Sequence, residues 1–316
     1  LIQTSANSRE WTARLASVIL LVTFGIVQVA SAQQIAITFD DLPTHGARPA
    51  RETRLEIANS ILATLKAEKL PPTYGFVNGV RTEEDPITLA VLNAWRDAGN
   101  PLGSHTWSHP DLNDLTSEQF EAEIAKDEPL LQSLAAGRAD QSDWHWFRYP
   151  FLHEGDTLEK RRAVRAYLFA HGYRIAQVNM DFEDYLWNGP YARCVAKHDD
   201  KSIEYLRKSY LATADQYASV FRQLSHMVYG RDVPYVLLLH IGAFDAKMLP
   251  ELVAMYRAKG FTFVSLPEAE KDPAYADDPD MPLKYGGALL EQMMAAKRLK
   301  FPPNTKPYKE LEALCR

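Results

Sequence analysis

Two adjacent carboxylates, Asp40 and Asp41, follow the apolar run Ile35-Ala36-Ile37-Thr38-Phe39. Ile35, Ile37 and Phe39 alternate with smaller residues and β-branched types dominate, so the run reads as a short buried strand with the carboxylates at its end. Their like charges drive the two acids apart in protonation unless a cation or another partner intervenes. A second stretch, Gly103-Ser104-His105-Thr106-Trp107-Ser108-His109-Pro110, holds two histidines four apart. On a helical turn they share one side and can share a metal ion. With one carboxylate they form a two-histidine, one-carboxylate set with open coordination positions, the chemistry of a hydrolytic or oxygenase metal site. By itself the histidine pair is a weak signal, since such pairs in loops are solvated about as often as they are ligands.

Thr38-Phe39-Asp40-Asp41 followed by His105-x-x-x-His109-Pro110 resembles the NodB-homology polysaccharide deacetylases, carbohydrate esterase family 4. The third motif of that family, Arg-x-Pro-aromatic, has its counterpart in Arg148-Tyr149-Pro150-Phe151. The fourth, Asp-x-x-Asp-Trp, has its counterpart in Asp181-Phe182-Glu183-Asp184-Tyr185, and the fifth, Leu-x-His, in Leu238-Leu239-His240. All five occur in family order, over roughly residues 35 to 266.

The resemblance implies a role for each matched residue. Asp41, His105 and His109 would hold one divalent metal, most simply Zn²⁺. Asp40 would be the general base, held and kept ionised by Arg148. His240 would protonate the departing amine, oriented by Asp184. Leu238 would line the slot for the acetyl methyl, and the backbone N–H of Phe151 would face the tetrahedral oxyanion. Three departures stand out. Leu42-Pro43 follows the first motif where glycine is usual. Tyr185 replaces the tryptophan of the fourth motif, with Trp187 two residues on, so either aromatic could build the pocket wall. The gap from Asp184 to His240 is long for the family.

The elements that must position these residues alternate. Strands are expected at Thr73–Val77, Pro101–Ser104, Trp146–Tyr149, Tyr173–Asn179, Tyr235–Leu239 and Phe261–Ser265, besides the first. Helices are expected at Arg51–Lys69, Ile87–Ala98, Thr116–Ala136, Leu158–Ala170 and Leu249–Ala258, with a long segment, interrupted at most once, at Ser202–Tyr229. About seven β/α units imply a largely parallel sheet and an irregular (β/α) barrel, the NodB-like fold, with an open sheet as the alternative. The chemical candidates fall just after strand C-termini, the functional face of either architecture. The tail, residues 272–316, reads as an arm packed on a barrel at 33–271, with one helix near Gly287–Lys297.

The 316 residues are 46% hydrophobic and 24% charged, an ordinary globular composition. The net charge of −6, without a basic run, argues against nucleic acid as a partner. Residues 1–32 read as a secretory signal: Arg9 and Arg14, an apolar Leu15–Ala30, then Ala30-Ser31-Ala32 as a cleavage site. Its loss removes Arg9, Arg14 and Glu10, leaving −7. The mature chain is thus expected in the periplasm or secreted, with no stable membrane span; a single anchor is the alternative reading. In that oxidising setting the two cysteines, Cys194 and Cys315, are expected to form a disulfide. His45, His145 and His153 lie near the motifs without an assigned contact to substrate, and Trp144 and Trp146 read as core. The expected substrate is an N-acetylated amino-sugar polymer of the peptidoglycan or chitin type. An O-acetyl esterase and a non-catalytic carbohydrate-binding relative are the alternatives.

Overall fold

The computed structural model describes residues 33–316 together with Leu1, so the expected secretory signal lies almost wholly outside the described residues. Among the described residues seven strands form one parallel sheet: β1 (Gln33–Leu42), β2 (Tyr74–Val77), β3 (Leu102–Ser104), β4 (Trp146–Phe147), β5 (Arg174–Ile175), β6 (Tyr235–His240) and β7 (Phe261–Phe263). The order runs β5-β4-β3-β2-β1-β6. Ile35 pairs with both Tyr235 and Phe263, and Thr38 with both Leu238 and Tyr74. β7 and β2 therefore share one side of β1, β7 along its first half and β2 along its second. Beyond β5, Met180 bridges Leu237 of β6, so the sheet curls round until its ends meet, as an irregular barrel. The fifth strand is shorter than its hydrophobic run suggests, because the chain leaves β4 after Ile175 and turns to reach β6.

Residue size on β1 explains the two faces. Ile35, Ile37 and Phe39 enter the core beneath the helices. Ala36 packs inside the barrel with Tyr74, Phe76, Trp146 and Val236. The period of two thus sends large apolar side chains outward and leaves the interior room for Thr38, Asp40 and the Arg148 guanidinium.

The helices are α1 (Arg54–Ala67), α2 (Val80–Glu84), α3 (Leu89–Asp97), α4 (Ser117–Ala135), α5 (Leu158–Ala170), α6 (Asn188–Ala196), α7 (Asp200–Tyr229), α8 (Ala243–Ala258), α9 (Leu266–Ala269), α10 (Leu289–Ala296) and α11 (Tyr308–Ala313). Capping boxes start α1 at Thr53/Glu56 and α4 at Thr116/Gln119. α1 buries Ile57, Ala58, Ile61, Leu62 and Leu65, whereas Leu55 is exposed. α7 runs unbroken for 30 residues, from an Asp199 cap to Gly230 at φ +71. Among the described residues no helix is long and apolar enough to cross a membrane.

Beyond residue 272, α10 lies along α7, and Leu290, Met294 and Leu311 enter the main core. Cys194 on α6 and Cys315 form a disulfide with Cα atoms 5.1 Å apart, as the cysteine count predicts.

Candidate active site

β1 and β6 lie in register with Asp40 opposite His240, so a carboxylate and an imidazole stand side by side at two strand ends. Asp40 is 2% exposed. Arg148, just past β4, donates to Asp40 Oδ1 at 3.1 Å and Oδ2 at 3.3 Å. The same guanidinium donates to Thr38 Oγ1 at 3.2 Å and the Ala176 carbonyl at 2.7 Å, and lies 4.5 Å over the Phe76 ring. Arg148 is therefore fixed from three sides, and Asp40 with it.

At Asp41 the backbone turns left-handed, φ +65, and the second carboxylate points elsewhere. Its Oδ2 lies 2.6 Å from His45 Nδ1. Burial opposes its ionisation. That hydrogen bond and the nearby His240, His105 and His109 outweigh it and hold Asp41 well below the usual carboxylate range. An ionised carboxylate only accepts, so His45 Nδ1 is the donor. Asp41 Oδ1 is buried and has no hydrogen-bond partner. Facing it are His109 Nε2 at 3.3 Å and His105 Nε2 at 3.5 Å. His105 Nδ1 donates to the Arg148 carbonyl at 2.7 Å, which leaves the Nε2 lone pair free and the ring fixed. Burial, then His105, push His109 down to about 4, so this ring is neutral at pH 7 with a lone pair to give.

One orphaned carboxylate oxygen and two imidazole nitrogens make a donor set that fits a borderline-soft divalent cation. Asp41, His45 and His240 form a second triad of close donor atoms around the same carboxylate.

His105 and His109 reach this geometry through a loop. The helical turn suggested by their spacing is not formed: Thr106 and His109 have φ +67 and +59. Ser104 Oγ accepts from the Thr106 N–H and donates to Asp127 Oδ2 at 2.9 Å. Asp127 is fully buried on α4, and burial pushes its carboxyl well up. It steadies the histidine loop from below, a role the sequence does not signal. Asp41, Thr106, His109, Phe151, Leu152 and Glu183 all have positive φ, and such strain gathers where surrounding structure over-determines the backbone.

His240 presents its Nδ1 to Asp184 Oδ1 at 2.7 Å, while its backbone N–H donates to Asp184 Oδ2, also 2.7 Å. Burial disfavours protonated His240, but the Asp184 charge and hydrogen bond outweigh it and lift the imidazole to about 10. Asp184 is itself fully buried.

A cavity of about 550 Å³ joins Asp40, Asp41, His105, His109 and His240. Leu238, 4% exposed, and the half-exposed Phe151 line it. Phe151 stands edge-on to His109, ring centroids 4.5 Å apart. Of the two candidate aromatics only Tyr185 lines the cavity, 5.2 Å from His240 between ring centroids. Trp187 is corrected: it is fully buried against Phe182 and Tyr210, its Nε1 donating to Ser209 Oγ. The two residues lie two apart on one short turn, Asp184–Trp187, which sends one ring to the cavity and the other to the core. His45 and His153 line the cavity, while His145 stacks on Trp144 beside a separate hollow. His45 was discoverable only as a histidine four residues past Asp41. Asp181 also lines the cavity, and burial pushes its carboxyl up to about 7.

A parallel β/α barrel thus carries an Asp-His-His set and an Arg-held aspartate at the C-terminal ends of its strands. Residues 28–175 match the family described as polysaccharide deacetylase. The chain is 29% identical over 157 residues to the peptidoglycan-N-acetylglucosamine deacetylase of Bacillus cereus, covering 49% of this chain and 47% of that protein. It is 28% identical over 175 residues to the chitin deacetylase of Colletotrichum lindemuthianum, covering 52% and 58%. The solved structure of the chitin deacetylase from that fungus superimposes with a TM-score of 0.50 at 23% identity, covering 75% of this chain and 86% of the other. A mutant of a Bacillus anthracis pseudoenzyme of carbohydrate esterase family 4, with restored enzymatic activity, gives 0.52 at 15% identity, covering 76% and 68%. Over residues 28–175 the chain is thus similar to the polysaccharide deacetylases. It spans about half the length of the curated relatives it matches.

Proposed function

We propose that this protein is an exported, metal-dependent hydrolase that removes N-acetyl groups from an amino-sugar polysaccharide of the peptidoglycan or chitin type. The observation that carries this reading is the unpartnered Asp41 Oδ1, facing two imidazole nitrogens beside an aspartate that Arg148 holds separately. Asp41, His105 and His109 hold the cation, with Zn²⁺ the simplest choice for that donor set. When bound, it supplies Lewis-acid polarisation of the acetyl carbonyl and lowers the pKa of a water.

The chain's own residues do the rest. Asp40 accepts the proton of the attacking water, and Arg148 keeps its carboxylate aimed. The Phe151 N–H faces the developing oxyanion. Leu238 seats the acetyl methyl, and Tyr185 closes the wall beside His240. His240, charged through Asp184, gives its Nε2 proton to the amine as the C–N bond breaks. An amine leaves poorly unless protonated, so a lifted imidazole suits an amide better than an ester. This favours N-deacetylation over removal of O-acetyl groups.

Acetate release from chitooligosaccharides, peptidoglycan and acetylated xylan, run in parallel with metal analysis, tests the reading. Asp40→Asn should keep about one divalent ion per chain and lose at least about 100-fold in turnover. Asp41→Ala should lose metal and activity together. Equal metal loss in both variants would mean the two aspartates have been assigned the wrong way round.

A further inference from the structure

The cavity is lined in part by a segment that lies outside the region matched to the family. Tyr285, Gly287, Glu291 and Lys306 belong to the C-terminal arm, and all four line the cavity that holds the Asp-His-His set. The arm touches both loops that flank that set.

On one side its turn is seated against the Phe151–His153 turn. Gly286 has φ +60, and a Cβ there would lie 2.6 Å from His153 Cδ2 and 2.8 Å from the Leu152 and Phe151 carbonyl oxygens. Only glycine permits that approach. Leu283 N–H donates to the Gly155 carbonyl at 2.9 Å, and Asn113 Nδ2 donates to the Lys284 carbonyl at 2.9 Å. On the other side, Lys306 Nζ lies 2.8 Å from Glu183 Oε1, and the Tyr308 hydroxyl donates to the same carboxylate. Glu183 is two residues from Tyr185. Between the two contacts, Leu289 N–H donates to the Val178 carbonyl at 2.6 Å. The end of the arm is tied by the Cys194–Cys315 disulfide and by Arg193, which donates to the Leu311 and Leu314 carbonyls.

The rim can be followed through contacts. It runs from His109 to Phe151, to His153 and Gly286, along the arm to Lys306 and Glu183, then to Tyr185 and His45. Polymer that threads past a catalytic centre needs an entrance and an exit. Here arm residues line the cavity between the Phe151–His153 turn and Glu183.

Resting on the deacetylase reading above, we propose that the C-terminal arm makes the cavity blind on this side, so that it takes the end of an acetylated amino-sugar chain and excludes the chain interior. The cavity of about 550 Å³ has the dimensions of a small-ligand pocket, room for about two or three sugar units. Tyr285, 84% exposed at the mouth, offers a ring face on which the last accommodated unit can stack.

The test uses the full-length protein and reducing-end-labelled N-acetylchitooligosaccharides of two to six units, with soluble glycol chitin as the polymer. Wild type should deacetylate a terminal unit, located by tandem mass spectrometry. Its kcat/KM per acetyl group should be at least about tenfold lower on the polymer than on the trimer. Lys306→Ala/Tyr308→Phe, which unties the arm from Glu183, should raise the polymer-to-trimer ratio at least fivefold and admit internal deacetylation. Internal deacetylation by wild type, with kcat/KM rising steadily with chain length, overturns the proposal. Binding separates it from the catalytic reading. In an Asp40→Asn background, calorimetric affinity should stop rising at two or three units. A plateau without acetate release from wild type would refute the catalytic reading and uphold the blind wall; affinity climbing through six units would refute the wall whatever the turnover.

Discussion

Arg148→Met should destabilise the protein severely, and adding Asp40→Asn should relieve part of the damage. Arg148 is 1% exposed and Asp40 2% exposed, so neither charge has water to fall back on. Removing the guanidinium takes the Nη1 donor from both oxygens of the Asp40 carboxylate, Nη2 from Thr38 Oγ1 and Nε from the Ala176 carbonyl. Breaking a buried ion pair from one side costs about 3–5 kcal/mol. A stranded buried carbonyl adds about 1–3 kcal/mol, and the methionine chain returns some of this by packing on Phe76. The single variant should therefore lose about 4 kcal/mol at pH 7.

Asp40→Asn alone keeps an acceptor oxygen for Arg148 but leaves the cation without a counter-charge, at about 2–3 kcal/mol. In the double variant no uncompensated charge remains. Its loss should be about 3 kcal/mol, which gives a coupling energy of about 3 kcal/mol. Urea unfolding with EDTA present, compared across the four proteins at equal m-values, measures this directly. If the double variant loses the sum of the singles to within about 0.5 kcal/mol, the two side chains are energetically independent and Arg148 does not act through Asp40.

His45→Ala should weaken Zn²⁺ binding about 10–100-fold without removing a donor from the Asp-His-His set, because His45 orients Asp41 from behind; competition with a fluorescent chelator reads it, and an unchanged affinity would reject that role. For His240 the folded pKa is raised, so its contribution to stability is complete below about 6.5, the unfolded value, and is lost as pH climbs to about 10. The stability advantage of metal-free wild type over Asp184→Asn should accordingly shrink between pH 6.5 and 10, and a constant difference across that window would contradict the Asp184 origin of the shift. Cys194→Ser/Cys315→Ser opens a bridge across 121 positions, for which chain entropy allows up to about 5 kcal/mol; an unchanged urea midpoint would mean that Arg193 and the arm's core contacts hold it unaided.

The residues that sequence brings to one face share one property: each lies at or just past the C-terminal end of a parallel strand. In a β/α barrel all those ends lie on one face, so Asp41, His105, Arg148 and His240 must converge although some 200 positions separate the first from the last. Alternation along β1 is equally readable, because Ile35, Ile37 and Phe39 need a different face from Thr38 and Asp40. What escapes the sequence depends on backbone turns with no periodic signature. The i,i+4 spacing of His105 and His109 suggests a helix, yet two left-handed residues bring them together instead. The same spacing links Asp41 and His45, where a left-handed turn at Asp41 returns the loop to its own carboxylate. Tyr185 and Trp187 differ by two positions on one short turn, and nothing in their types says which faces the cavity. The arm is the extreme case. Its decisive contacts are a single glycine under a turn and a lysine and a tyrosine on one glutamate, and none of them repeats with any period. Strand ends gather the polar groups of such a barrel on one face, while aperiodic loop contacts shape the cavity around them.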